Sequence, residues 1–249
     1  MKKNTTKILI LMLCVAGFVF AAFPDGNMLI GKMDQNMSGG SQKIISKMVI
    51  ETKRVTRTIK TRTYMQGEDS SFTEYLAPAR EAGIKMLKIK DNLWTYDPDA
   101  DRTITISGHM LRQSINGSDL SYEDMMEDET IQDSYNSVTV GEEVIFDRDC
   151  WVLDLTALKD DISYPRRKLW LDKERYLPLK GEYYAKSGKL LKRMEIRSVM
   201  RVDNRWYPSE MFYKDVLDKK GKGTSFIIES IEFDVDIPKY MFTKAALKK

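Results

Sequence analysis

The sequence predicts a mainly β chain, with about ten or eleven antiparallel strands curled into a large sheet or open barrel and one helical interruption. Three observations carry that reading. From Ile44 to Ile106, and again from Ser137 almost to the end, short runs rich in Thr, Tyr, Ile and Val are bounded by Gly, Asp, Asn, Pro or Lys clusters. Between His109 and Gln132 that pattern breaks, and an acidic, helix-like stretch takes its place. The chain also holds 15 Met, 12 Tyr, 9 Phe and 4 Trp, residue types that line a concave apolar pocket as readily as they fill a core.

The first 21 residues read as a secretory signal peptide. Lys2, Lys3 and Lys7 form its positive region, Ile8 to Phe20 its apolar run, and Val19-Phe20-Ala21 its cleavage site. The run is short for a bilayer span, and Leu13 before Cys14 is not the small residue that a lipid-anchor signal requires. Cleavage would leave residues 22–249 as one domain working outside the cytoplasm, in the periplasm. Of the 40 Lys and Arg, three lie in residues 1–21, which hold no acid, so the mature chain balances at 37 against 37. That balance removes the electrostatic case for nucleic acid. With Cys14 cleaved, Cys150 stands alone and no intrachain disulfide can form; with His109 the only histidine, multi-histidine metal sites are excluded.

Leu29, Met33 and Met37 fall at i, i+4 and i+8, which predicts a helix over 27–37 that the Ser38-Gly39-Gly40 stretch ends. Strands follow around Met48 to Glu51, Lys60 to Met65, Lys85 to Lys90 and Leu93 to Tyr96, with turns at Gln66-Gly67-Glu68-Asp69 and Asp91-Asn92. In the helix-like stretch, Met110, Leu111, Ile115, Leu120, Tyr122, Met125 and Met126 are the apolar members, and Ser121 is placed to cap a short helix begun by Glu123 and Asp124. Later strands are expected at Val144–Phe146, 150–155, 168–172, 177–184, 190–200, 205–214 and 225–235, with hairpin tips at 186–189 and 219–223.

Motifs for chemistry are weak. Lys220-Gly221-Lys222-Gly223-Thr224 lacks the spacing of a phosphate loop and reads as a hairpin tip. The acids Glu123, Asp124, Glu127, Asp128 and Glu129 lack the spaced ligands and turn glycine of a calcium loop and read as a solvated helix face. Asp147, Asp149, Asp160 and Asp161 have no nucleophile beside them, so no enzyme, metal or cofactor is expected.

Leu93-Trp94-Thr95-Tyr96-Asp97-Pro98, the block from Asn116-Gly117-Ser118-Asp119 to Met125, and the late Ile231-Glu232-Phe233, Ile237-Pro238 and Phe242-Thr243 together resemble the LolA-like family of periplasmic outer-membrane lipoprotein-sorting proteins, in a divergent branch. The resemblance implies an incomplete antiparallel β-barrel with a helical lid over a concave apolar cavity. It implies a carrier, working as a monomer, that takes the acyl chains of lipoproteins from an inner-membrane releasing complex to an outer-membrane acceptor. Met86, Trp94, Tyr96, Ile104 and Ile106 are then expected at the cavity, and Leu29, Met33, Met37, Met110, Leu111, Leu120, Tyr122, Met125 and Met126 in the lid. The family's better-known carriers place an arginine directly before a strand-ending proline; here Ala77 precedes Pro78, and Arg80 is the substitute expected to control the lid. Two other readings are a lipid-binding accessory of an envelope lipid exporter and a structural or adaptor β-protein with a filled core.

Overall fold

The computed structural model describes residues 22–126 and 130–249; the signal-peptide reading and the acids Glu127, Asp128 and Glu129 lie outside them. Helix α1 (Gly26–Met37) comes first, followed by β1 (Ser41–Thr52), β2 (Thr56–Gln66), β3 (Ser70–Ala77), β4 (Lys85–Ile89), β5 (Asn92–Asp97) and β6 (Arg102–Ile106). The helix-like stretch then gives two 3-10 turns, Gly108–Arg112 and Ile115–Gly117, and the short α2 (Tyr122–Met126). Seven strands complete the sheet: β7 (Tyr135–Ile145), β8 (Arg148–Ala157), β9 (Arg166–Asp172), β10 (Pro178–Tyr184), β11 (Leu190–Val202), β12 (Arg205–Asp215) and β13 (Gly221–Phe233).

All thirteen strands form one antiparallel sheet in the order β6-β5-β4-β3-β2-β1-β13-β12-β11-β10-β9-β8-β7. β1 and β13 pair at its centre, while β6 and β7 are its two edges and do not pair, so the barrel stays open. Thirteen strands exceed the ten or eleven expected. β3 escapes the sequence pattern because Phe72, Thr73 and Tyr75 are buried across both of its faces, which erases the polar-apolar alternation. Val144-Ile145-Phe146 is no strand of its own: Val144 and Ile145 end β7, and Phe146 and Asp147, at φ +50° and +59°, make the two-residue hairpin into β8.

One face of this sheet, the inner one, is covered in two halves. On the β7–β9 side, Leu29, Ile30 and Met33 of α1 pack on Tyr135, Leu153, Leu155, Leu169 and Leu171. Asp25 caps that helix by accepting the Met28 N–H at 2.8 Å. Gly26 is required there, since a Cβ would sit 2.5 Å from the Ser137 carbonyl oxygen on β7. On the β1–β6 side the 108–126 segment covers Met48, Ile50, Ile59, Tyr75, Met86, Leu93 and Ile106.

The outer face is covered only in part, by the C-terminal turns Lys239–Phe242 and Lys244–Lys248. Leu247 is fully buried among Phe72, Leu87 and Trp94, and Lys248 pairs with Asp101 at 3.0 Å. Strands β3 to β5 are therefore buried on both sides. Replacing Leu247 with Ala should cost about 2–5 kcal/mol of stability, read as a lowered urea midpoint at unchanged slope; a midpoint like that of the parent would show that the tail is not part of the core.

Candidate functional site

The inner face does not fill completely. Between β1–β4, β12–β13 and the 108–126 segment lies a cavity of about 360 Å³, lined by apolar groups of Ile44, Met48, Met65, Tyr75, Met86, Ile115, Leu120, Met125, Met211 and Phe226. Cross-strand registry puts these side chains on one side: Met48 faces Phe226, Phe226 faces Met211, and Thr73 faces Met86. Hydroxyls in this region satisfy one another, Ser46 with Thr61 at 2.9 Å and Thr63 with Thr73 at 3.0 Å, so they cost little there. Glu68, Lys88 and Asp124 also border the cavity and give an otherwise apolar hollow a charged margin. Two other hollows, of about 310 and 390 Å³, are bordered largely by charged and hydroxyl side chains, including Arg167, Lys159 and Asp161 in one and Arg112, Ser114 and Ser118 in the other.

The segment over the cavity is a lid by construction. It closes on itself through the Ser114 to Ser121 bridge, the Ile115 N–H to Leu120 O bond at 2.8 Å and the Tyr122 N–H to Gln113 O bond at 3.1 Å. Its apolar side chains point at the cavity cluster while its polar ones fasten it to the sheet. Asp119 accepts from Lys214 Nζ at 3.1 Å, the Asp215 N–H at 2.8 Å and Thr224 Oγ1 at 2.8 Å. Asp124 accepts from Tyr164 Oη at 2.7 Å and pairs with Lys192. At the far side, Asn116 Nδ2 donates to Tyr75 Oη at 3.2 Å, and Arg57 donates to the Asn116 carbonyl at 3.2 Å and to Glu81 at 3.1 Å.

Asp124, expected on a solvated helix face, is thus a buried anchor, as is Asp119. Burial pushes the Asp124 carboxyl up, but the Lys192 ammonium and the Ser121 and Tyr164 hydrogen bonds outweigh it and hold the group below its ordinary range. Ser121 does cap α2: its Oγ accepts the Asp124 N–H at 3.2 Å, and Asp124 Oδ2 accepts the Ser121 N–H at 2.6 Å. Burial pushes Tyr75 upward, so its phenol stays neutral at the cavity wall, and pushes the buried Cys150 thiol up to about 11, far from reactive.

Of the residues expected at the cavity, Met86 lines it, and Ile104 and Ile106 belong to the same inner cluster. Trp94 and Tyr96 are a correction. Trp94 pairs with Leu87 and Thr105 on the outer face, where it packs with Leu247 and lies 4.3 Å beneath Lys244; Tyr96 joins the same outer cluster. Leu93, one position earlier, is the inward residue. Of the lid residues, Leu120 and Met125 line the cavity, while Met110, Leu111, Tyr122 and Met126 pack on its cluster. Leu29 and Met33 instead fill the other half of the inner face, and Met37 packs near Met65 and Met211. Arg80 is exposed on the turn after β3 and has no hydrogen bond or ion pair among the described residues; Arg57 is the arginine that touches the lid. Ile44, Met48, Met65, Tyr75, Met211 and Phe226 were not singled out, although Met48 and Met65 already showed strand alternation.

A family model described as an uncharacterized protein family matches residues 67–249. The chain belongs to that family, and its fold is LolA-like. A DUF1329 family protein from Desulfovibrio piger is 27% identical, with a TM-score of 0.82 over 89% of this chain and 97% of that one. A putative outer membrane lipoprotein-sorting protein domain from Vibrio parahaemolyticus is 23% identical, with a TM-score of 0.79 over 90% of this chain and 98% of that one. A LolA superfamily protein from Nitrosomonas europaea is 21% identical, with a TM-score of 0.75 over 90% and 100%. Among curated proteins none matches the sequence. Among the described residues no helix is long and apolar enough to cross a membrane.

Replacing Lys192 with Met leaves Asp124 buried without its cation, a change that typically costs about 3–5 kcal/mol. Hydrogen exchange over 114–126 should accelerate accordingly, and unchanged exchange would show that the pair does not hold the lid. Because the folded Asp124 carboxyl titrates below its ordinary value of 3.8, its contribution is complete above about pH 4 and fades as acid carries the pH through the lower folded value. Asp124→Asn should remove that part of the acid-side loss of stability, seen in paired pH titrations of the two proteins.

Proposed function

We propose that this LolA-like protein is a periplasmic carrier, exported through a signal peptide at residues 1–21 that is then cleaved, and that it shelters the acyl chains of lipoproteins between an inner-membrane releasing complex and an outer-membrane acceptor. The observation that carries the reading is the apolar, methionine-rich cavity roofed by a segment whose own fastenings are polar. Each acyl methylene left in water costs about 0.8 kcal/mol, so transfer through an aqueous space needs such a shelter. At about 360 Å³ the cavity lies near the low end of the roughly 300–1,000 Å³ of ligand pockets. Long chains therefore enter as the lid lifts from the sheet.

Flexible thioethers suit that use, because they re-pack around ligands of different shape and hold none of them rigidly. The charged margin of Glu68, Lys88 and Asp124 suits an amphipathic ligand, whose polar end would remain at the border while its chains lie inside. The description of the Vibrio parahaemolyticus structure, a putative lipoprotein-sorting domain, supports the same role. The reading assigns no catalytic residue and no cofactor.

Native mass spectrometry of the protein purified from its own periplasm tests it. A monomer carrying one acylated polypeptide is the expected species; lipid alone would favour the exporter-accessory reading, and a clean mass that refuses added lipopeptide would contradict a carrier. A paired substitution tests the face. Met65→Lys should abolish lipopeptide uptake, whereas Tyr96→Lys on the outer face should leave it intact, and the reverse outcome would put the ligand on the other side of the sheet.

A further inference from the structure

Five methionines line the cavity, Met48, Met65, Met86, Met125 and Met211, and their sulfurs lie in unequal surroundings. Tyr75 Oη donates to Met86 Sδ at 3.4 Å, and Tyr213 Oη donates to Met211 Sδ at 3.7 Å. A hydroxyl bonded to a thioether engages the lone pair through which sulfur attacks an oxidant. Met48 and Met86 are in addition buried from solvent. Met65 on β2 and Met125 on α2 are half-buried and have no such donor among the described residues. One stands on the wall of the cavity and the other on its lid.

We propose that Met65 and Met125 are a modification site at which hypochlorous acid converts the cavity from apolar to polar. The thioether sulfur gives an electron pair to the chlorine of hypochlorous acid, and hydroxide leaves. Water then displaces chloride from the chlorosulfonium, with loss of two protons, one of which neutralises the hydroxide. In sum, one thioether and one hypochlorous acid give one sulfoxide, one proton and one chloride, sulfur losing two electrons and chlorine gaining two. Each sulfoxide puts a strong acceptor into a largely apolar lining, which opposes both lid closure and acyl-chain binding. The loss of binding rests on the carrier reading; the order in which the sulfurs react does not.

The test is peptide mapping by mass spectrometry after limiting doses of hypochlorous acid, alongside affinity for an apolar fluorescent dye. The exposed Met28 sets the rate of an unprotected sulfur. Met65 and Met125 should follow it, with Met48, Met86 and Met211 lagging behind. Met211 and Met65 are both half-buried, so Tyr213→Phe should raise the rate at Met211 to that of Met65 without altering the others. Dye affinity should fall by about tenfold or more as the pair reacts. Methionine sulfoxide reductase should restore it, and the Met65→Leu/Met125→Leu double variant should keep its affinity through the same treatment. Even oxidation of all five, a Met211 rate indifferent to Tyr213→Phe, or a double variant that loses dye binding as readily as the parent would overturn the proposal. Ordered oxidation in a protein that takes up no dye before treatment would uphold the site and remove the carrier reading.

Discussion

An apolar hollow that is kept incompletely filled is the constraint on which the rest of this molecule depends. Proteins normally pack such space shut, because lost contacts cost energy in proportion to the volume left empty. Here the sheet is long enough to curl around more space than its own side chains occupy, and its two edges, β6 and β7, remain unpaired. The unfilled part is concentrated at one end, since α1 packs the β7–β9 half tightly with Leu29, Ile30 and Met33. The half beneath the 108–126 segment retains the apolar cavity.

That division explains why the lid is fastened with charges and hydroxyls. An apolar lid held only by apolar contacts would sink into the hollow and fill it. Asp119 on Thr224, Lys214 and the Asp215 amide, together with Asp124 on Lys192 and Tyr164, fixes the segment at the height of the sheet's rim instead. These directional bonds are satisfied in one geometry only, and each buried carboxylate would be expensive in any other. Leu120 and Met125 then hang from a polar frame over the cavity.

Much of this was legible in the sequence. Alternation and turn residues gave the sheet; the break at Ser107-Gly108 gave the insertion; the spacing of Leu29, Met33 and Met37 gave α1. The stretch from Asn116 to Met125, the most specific part of the family resemblance, carries both latch carboxylates, yet Asp124 reads as part of a wet helix face and Asp119 carries no local signal, because their partners Lys192, Lys214 and Thr224 lie far along the chain. Inward and outward sides failed where the sheet is buried twice. In β5, Leu93 and Trp94 are both apolar and both buried, one under the lid and the other under the C-terminal turns, so nothing local distinguishes them. Arg80 failed for a related reason: proximity to Pro78 in sequence could not show that Arg57, on the neighbouring strand, is the residue that reaches the lid.

The measurement that bears most directly on a latched lid over a loadable cavity is lipopeptide binding by an Asp119→Cys/Thr224→Cys protein, whose side chains meet at the latch. Oxidised, the new disulfide replaces the polar latch by a covalent one; reduced, it frees the lid. The account predicts that the oxidised protein refuses a diacylated peptide and that a reductant restores uptake. Equal binding in both states would mean that ligand reaches the sheet without lifting the lid, and would contradict the account at its centre.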